Sequence, residues 1–337
     1  MLSKRIPEKI AKRLRLPLIA APMLAVSGPE LVIAACKAGV IGAFPLANAR
    51  SPEGVEVWLS QIETALARAA GESPERAPAP FCANLIIKRA EMRSELAALV
   101  KHRVELVITS VGSPAEAIGP LHDSGSFVFC DVATLHHAER AIASGVDGLI
   151  LLTAGAGGQT GWLNPLAFVR ATRQMFDGPI VLAGGISDGN LLWAAEVMGC
   201  DLAYMGTKFI ATHESLAAPA YKQMLVESDM DDVMLTQAFT GLDTNMLKPS
   251  MIAAGLDPAT LPPRVSVEEA ARNFSSKGDF PGPRRYRDIW SAGHSISGVS
   301  RIQSAAELVD QTREEYDQAR ARTGSMLTSG MKTASLG

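Results

Sequence analysis

The sequence predicts a (β/α)8 TIM barrel with an irregular, partly helical covering segment near the C-terminus. Three observations carry this expectation. Between Leu16 and Thr207, short apolar runs alternate with longer segments whose apolar residues recur at helical spacing. Several runs are continuously apolar, as parallel strands covered on both faces are. The glycine-rich turns follow the later runs and not the first, as in barrels whose phosphate site is built late in the chain.

The expected strands, in order, are Pro17–Ala21, Ile41–Phe44, Phe81–Leu85, Leu106–Thr109, Phe127–Asp131, Gly148–Leu152, Ile180–Ala183 and Leu202–Met205. Helical segments such as Pro29–Ala38, Glu91–Lys101, Leu135–Ser144 and Asn190–Met198 separate them, and Gly39, Gly145 and Gly199 stand where helix C-caps are needed. An open doubly wound sheet would share these local patterns. It would, however, carry its glycine loop after the first strand, where this chain reads Ala20-Ala21-Pro22-Met23.

Beyond Thr207 the pattern changes. Residues 231–285 form the expected covering segment, rich in Pro, Gly, Asp and Ser, with short helices at Ser250–Ala254 and Ser266–Asn273. A final amphipathic helix is expected over Ser304–Arg320, and the small, polar stretch Thr323–Gly337 reads as a frayed tail. The barrel thus comprises residues 1–230 and 286–322. The 337 residues exceed the ordinary span of one domain, but barrels of this kind routinely run long as a single unit.

Composition narrows the function classes. Lys and Arg total 32 against 35 Asp and Glu, with no basic cluster interleaved with aromatics, so no nucleic-acid partner is expected. No apolar stretch is long enough to span a bilayer, and Leu16–Leu24, broken by Pro17 and Pro22, lacks an export-signal layout. Cys36, Cys82, Cys130 and Cys200 are far apart and read as buried free thiols. The expectation is a cytoplasmic protein. The six histidines show no metal-ligand spacing, so no metal site is expected.

Val181-Leu182-Ala183-Gly184-Gly185-Ile186-Ser187-Asp188 places two glycines at a strand end, ahead of a helix that Ser187 or Asp188 can cap. Tyr204-Met205-Gly206-Thr207 repeats the arrangement one unit later. Either turn alone could be a plain βα connection; together they point to a phosphate site. The loop Ala154-Gly155-Ala156-Gly157-Gly158-Gln159-Thr160-Gly161 lets backbone approach a flat ligand, and Gln159 projects from its middle, toward a ligand or simply into solvent.

Ala21-Pro22-Met23, Asn84 in Cys82-Ala83-Asn84-Leu85, the Ala156–Gly161 loop, Ala183-Gly184-Gly185-Ile186 and Met205-Gly206-Thr207-Lys208-Phe209 occur in an order and spacing similar to the nitronate monooxygenase family. The chain also resembles the related FMN-dependent enoyl-acyl-carrier-protein reductases. The resemblance covers nearly the whole chain and implies an FMN-dependent oxidoreductase. By it, Ala21, Pro22 and Met23 would lie along the isoalloxazine ring, and Asn84 would hydrogen-bond it. Gly157 and Gly158 would border the flavin, and Gly184, Gly185, Gly206 and Thr207 would hold its phosphate. From the residues alone, Met23 reads as a core methionine, the commoner role of Met.

Two departures matter. The family's central loop carries a histidine near the flavin; here that place is Gln159, which cannot act as a base near neutral pH. Many relatives place a lysine in the fifth strand, where this chain has Phe127-Val128-Phe129-Cys130-Asp131. Asp131 either faces inward as a flavin-binding or acid/base group, or caps the next helix. His137, at the start of that helix, either faces the flavin or the surface. His294, in Trp290-Ser291-Ala292-Gly293-His294, belongs to a segment resembling one that returns to the barrel mouth in the family. Gln159, His294, Asp131 and His137 are therefore the candidate catalytic residues.

The residues around Thr236–Leu242 and Asn245–Leu247 mix apolar and amide groups, as a substrate cover or an ordinary packed excursion would. The expected activity is oxidation of an alkyl nitronate with molecular oxygen. The alternatives are an NAD(P)H-dependent reductase or dehydrogenase acting on an enone, quinone or enoyl thioester, and a non-catalytic flavin-binding barrel.

Overall fold

The computed structural model describes residues 4–274 and 282–334. Eight parallel strands close into a barrel: β1 Leu18–Ala20, β2 Ile41–Pro45, β3 Phe81–Ile86, β4 Leu106–Ser110, β5 Phe127–Val132, β6 Gly148–Leu152, β8 Ile180–Ala183 and β9 Leu202–Met205. Closure comes from β1, which pairs Ile19 with Ile41 on one side and with Tyr204 on the other. All eight expected strands are present, displaced by one residue at most at either end. A second, three-stranded sheet, in the order β10–β11–β7, is built from β7 Gly158–Gln159, β10 Val233–Thr236 and β11 Thr244–Leu247.

The continuous apolar character of the strands follows from burial on both faces. Alternate residues point inward, and Ile19, Ile41, Cys82, Ile108, Phe129, Ile150, Val181 and Tyr204 form the barrel interior. The intervening positions, such as Leu18, Phe44, Ala83, Val107, Val128, Leu149, Leu182 and Ala203, pack beneath the surrounding helices. The bottom of the barrel is closed by Ile6, Ile10 and Leu14. Asp201 braces that end by accepting from Arg173 Nη2 at 2.7 Å and from the Ile180 N–H at 2.8 Å.

Left-handed glycines end three helices as expected. Gly39 (φ 94°) follows Pro29–Ala38, while Gly145 (φ 86°) and Gly199 (φ 99°) follow Leu135–Ala143 and Gly189–Val197 by one intervening residue. The four cysteines are buried and free. Among the described residues, no helix is long and apolar enough to cross a membrane.

The expected end of the last helix is corrected: it does not stop at Arg320 but runs over Ala305–Ala334. Met326, Leu327, Met331 and Lys332 favour helix there and no proline stops it; Gly324 and Gly330 are accommodated within the run. In the covering segment, helices occupy Lys248–Ala253 and Val267–Asn273, the latter opened by a capping box between Ser266 and Glu269. In this segment Ala238, Phe239, Met246 and Met251 form an apolar cluster with Ile289, which follows it. Residues 275–281 lie outside the described part.

Candidate active site

The C-terminal ends of the barrel strands, where each strand yields to a loop, surround one cavity. Ala21, Pro22 and Met23 follow β1 and line it. Their loop is clamped: Asn48 Nδ2 donates to the Met23 carbonyl at 2.9 Å and the Ser27 carbonyl at 2.8 Å, while Asn48 Oδ1 accepts from the Ala25 N–H. The clamp holds Ala25 at φ 60°, a conformation alanine does not favour on its own. Neither Asn48 nor Ser27 was marked by any sequence signal.

Asn84 lines the same cavity from β3. Its Nδ2 donates to Ser110 Oγ at 3.0 Å and to the Ile108 carbonyl at 3.3 Å, and its Oδ1 lies 3.5 Å from the same hydroxyl as an acceptor. Gly157, Gly158 and Gln159 line it from the central loop. That loop is an ordered strand: Gly158–Gln159 pairs antiparallel with β11, and Asn245 Nδ2 donates to the Ala156 carbonyl at 2.7 Å. Gln159 is exposed at the cavity rim, and its amide makes no hydrogen bond among the described residues.

Two glycine turns complete the wall. Gly184 (φ 130°) and Gly185 (φ 76°) follow β8, and a Cβ on Gly185 would meet no atom within 4 Å. The N–H groups of Gly185 and Ile186, both lining the cavity, donate to no atom of the described protein. Asp188 caps the following helix Gly189–Val197 by accepting from the Leu191 N–H at 2.8 Å, so Asp188 and not Ser187 supplies the cap. Free donors next to a helix start form an anion cradle. Gly206 and Thr207 adjoin it after β9, and Thr207 Oγ1 accepts from the Gly293 N–H at 3.0 Å.

Asp131 faces inward at the end of β5 and lines the cavity floor. The helix-capping alternative is excluded, because Thr134 caps Leu135–Ala143 by accepting from the His137 N–H at 3.1 Å. Asp131 Oδ1 is buried with no hydrogen-bond partner among the described residues. Burial pushes its carboxyl up to about 7. Its charge in turn raises the Tyr204 phenol and the Cys82 thiol, where burial is the larger cause. Among the described residues no Lys, Arg or His lines this cavity, and Asp131 is its one carboxyl group.

A raised carboxyl has a stability consequence. The folded state holds the proton more tightly than the unfolded chain, so stability falls as pH rises from about 4 to about 7. In ligand-free protein, Asp131→Asn is expected to abolish this component and to exceed wild type by about 2 kcal/mol at pH 8, after discounting for solvent in the cavity. Urea denaturation at about pH 5 and pH 8 checks this; a wild-type advantage at both would contradict it.

Two candidate catalytic residues are displaced from the site. His137 is exposed on its helix and lies outside the cavity lining, because the helix start turns it outward while Ala138 faces the core. His294 is also exposed and outside the lining. Its segment does return to the mouth, where Ser291, Ala292 and Ser295 line the cavity. However, its N–H donates to the Gly155 carbonyl at 2.9 Å, and its ring packs against Gly155. Three tyrosines not singled out from the sequence, Tyr204, Tyr221 and Tyr286, face the cavity instead. Tyr221 stacks on Trp290 at 4.9 Å and donates to the Ser291 carbonyl.

With this geometry in place, comparison with known proteins is informative. The sequence pattern of the family described as nitronate monooxygenase matches residues 7–315. The chain belongs to the nitronate monooxygenase family. A nitronate monooxygenase of Paraburkholderia phytofirmans is 25% identical over 346 residues, covering 90% of this chain and 93% of that protein. FabK from Thermotoga maritima superposes with a TM-score of 0.75 at 21% identity, over 95% of this chain and 99% of that one. A nitroalkane oxidase from Streptomyces ansochromogenes gives 0.75 at 24% identity, over 93% and 99%. These structural likenesses establish the barrel fold. Membership of the nitronate monooxygenase family makes the chain a flavin-dependent oxidoreductase.

Proposed function

We propose that the protein binds FMN at the C-terminal mouth of the barrel and oxidises alkyl nitronates with molecular oxygen. The observation that carries this reading is the free pair of N–H donors at Gly185 and Ile186, beside Gly206 and Thr207, on the wall of a largely apolar cavity. A phosphate satisfies those donors, and a side chain at Gly185, which would meet no protein atom within 4 Å, would occupy the space it needs. Ala21, Pro22 and Met23 offer a flat apolar surface for the ring, and the Asn84 carbonyl an acceptor for a ring N–H.

FMN held there would supply the electron transfer between substrate and oxygen. The chain positions the reactants and shields them. A nitronate arrives already deprotonated, so Gln159 need only donate from its amide to the nitro oxygens, and no strong base is required. Asp131, neutral over much of the range below about pH 7, lets an anion share the cavity. Tyr221 and Tyr286 close the apolar side against water.

Asp131 also favours a second reading. A buried carboxyl near neutrality can deliver a proton to carbon, as reduction of a polarised C=C bond by NADH or NADPH through the flavin requires. Anaerobic mixing of FMN-loaded protein with a nitronate, NADH and NADPH in separate stopped-flow runs distinguishes the two. Bleaching by nitronate alone supports the oxidation; fast bleaching by a pyridine nucleotide with none by nitronate supports the reductase. Failure to bind FMN removes both.

Gln159→Ala is expected to lower kcat/KM for a nitronate by about tenfold or more, the loss of one hydrogen bond to a charged group, with FMN content unchanged. Steady-state oxygen consumption reads this. Unaltered kinetics in both Gln159→Ala and Gln159→His would remove the residue from the reacting centre.

A further inference from the structure

The charge arrangement around the cavity extends the flavin-binding reading and rests on it. Asp131 is the one carboxyl group among the described lining residues, and no cation lines the cavity with it. The ionisable groups that face Asp131 are Cys82 from β3, Tyr204 from β9 and Cys130 on its own strand, with Tyr221 and Tyr286 above the mouth. None of them carries positive charge in any protonation state. The adjoining β4 and β6 contribute only Ser110 and Leu152 to the lining. Among the described residues Asp131 Oδ1 has no donor to neutralise it, and the side chain lines the cavity.

We infer that Asp131 acts as a proton-controlled brake on the electron affinity of the bound flavin, weakening it when ionised and releasing it when protonated. The argument does not depend on which edge of the ring meets the carboxyl. Two reduction equivalents put negative charge on the pyrimidine side of the ring, and a carboxylate within the same cavity repels that charge through a poorly screened interior. At the effective dielectric of such sites, a unit charge about 8–10 Å away changes an equilibrium by about tenfold or more. Because burial raises the carboxyl to about 7, the brake engages across the neutral range.

Sulfite tests this without turnover. Its sulfur lone pair forms a bond to the flavin N5, and the displaced electron pair moves into the pyrimidine ring, where it remains as negative charge or takes a proton from water. Adduct formation therefore reports how well the site tolerates that charge. FMN-loaded wild type, Asp131→Asn and Tyr204→Phe would be titrated with sulfite at about pH 6 and pH 8.5, following loss of visible flavin absorbance.

Asp131→Asn is expected to bind sulfite about tenfold or more tightly than wild type at the higher pH, and within about twofold of it at the lower. Tyr204→Phe should follow wild type at both. Asp131→Ala repeats the comparison with a neutral side chain of different shape, and agreement between the two variants assigns the effect to charge. Equal affinities at the higher pH overturn the inference while leaving the flavin reading intact, as does a Tyr204→Phe variant that matches Asp131→Asn. A wild-type protein that takes up no FMN overturns the flavin reading itself, and this inference with it.

Discussion

Gly185→Ala should leave a folded protein that has lost most of its affinity for FMN, whereas Gly184→Ala should damage both fold and binding. The two glycines are adjacent and both have positive φ, but their surroundings differ. A methyl on Gly185 meets no protein atom within 4 Å and would project into the anion cradle. Its conformational cost at φ 76° is about 1–2 kcal/mol, a shift of a few degrees in Tm. A methyl on Gly184 would stand 2.4 Å from Thr153 Oγ1, whose hydroxyl donates to the Ala183 carbonyl at 2.8 Å. Clash and strain together should cost about 3 kcal/mol. Thermal melts and FMN titrations of both variants separate the two outcomes, and a Gly185→Ala protein that binds FMN as wild type does would remove the phosphate assignment.

Gly189→Ala should be among the most destabilising single-methyl changes in the chain. Its Cβ would lie 2.1 Å from the Tyr316 nitrogen and 2.3 Å from the Thr312 carbonyl oxygen, both backbone atoms of the helix Ala305–Ala334. A side chain could rotate away, but two helix backbones can only separate, at a cost of about 3 kcal/mol or more. Separation would also strain the contacts that tie that helix to Gly189–Val197. Glu315 Oε2 accepts from the Gly189 N–H at 3.0 Å, and Trp193 Nε1 donates to Thr323 Oγ1 at 2.9 Å. Since Gly189 follows directly on the Gly184–Asp188 turn, FMN affinity should fall along with stability. Urea denaturation read with FMN titration tests this; wild-type stability would show that the helices yield at no cost.

The extension of the last helix therefore has a bearing on the site. The residues from Thr323 onward are small and polar and show no apolar face of their own, so the sequence alone reads as a tail there. Packing of Trp193, Tyr316 and Arg320 binds the preceding turns to the barrel wall, with Arg320 over both rings at 5.6 and 5.4 Å. Helix once nucleated extends at little cost, so the continuation follows from that anchorage.

The histidines show a different kind of limit. The segment around His294 reaches the barrel mouth, as its resemblance implies, through Ser291, Ala292 and Ser295. Which of its side chains enters the cavity depends on single-residue rotation about the chain. That rotation is set by the Gly293 N–H bond to Thr207 and the close contact of Gly293 with Gly155 and Gly157. Two glycine stretches distant in sequence interlock there, and neither reveals the other. The small sheet of β7, β10 and β11 escaped notice for a related reason: a two-residue Gly-Gln strand has no periodicity to read.

The sequence by itself determined the barrel, the order of its strands and the glycine turns at the end of β8 and β9, because these depend on local spacing of apolar residues and on backbone conformations that glycine permits. The tertiary structure alone decided that Asp131 faces an interior without a cation, that Tyr204, Tyr221 and Tyr286 share its cavity, and that His137 and His294 do not. Those outcomes depend on which distant groups closure of the barrel brings together, and the energy of a buried charge is set by those neighbours and not by its own stretch of chain.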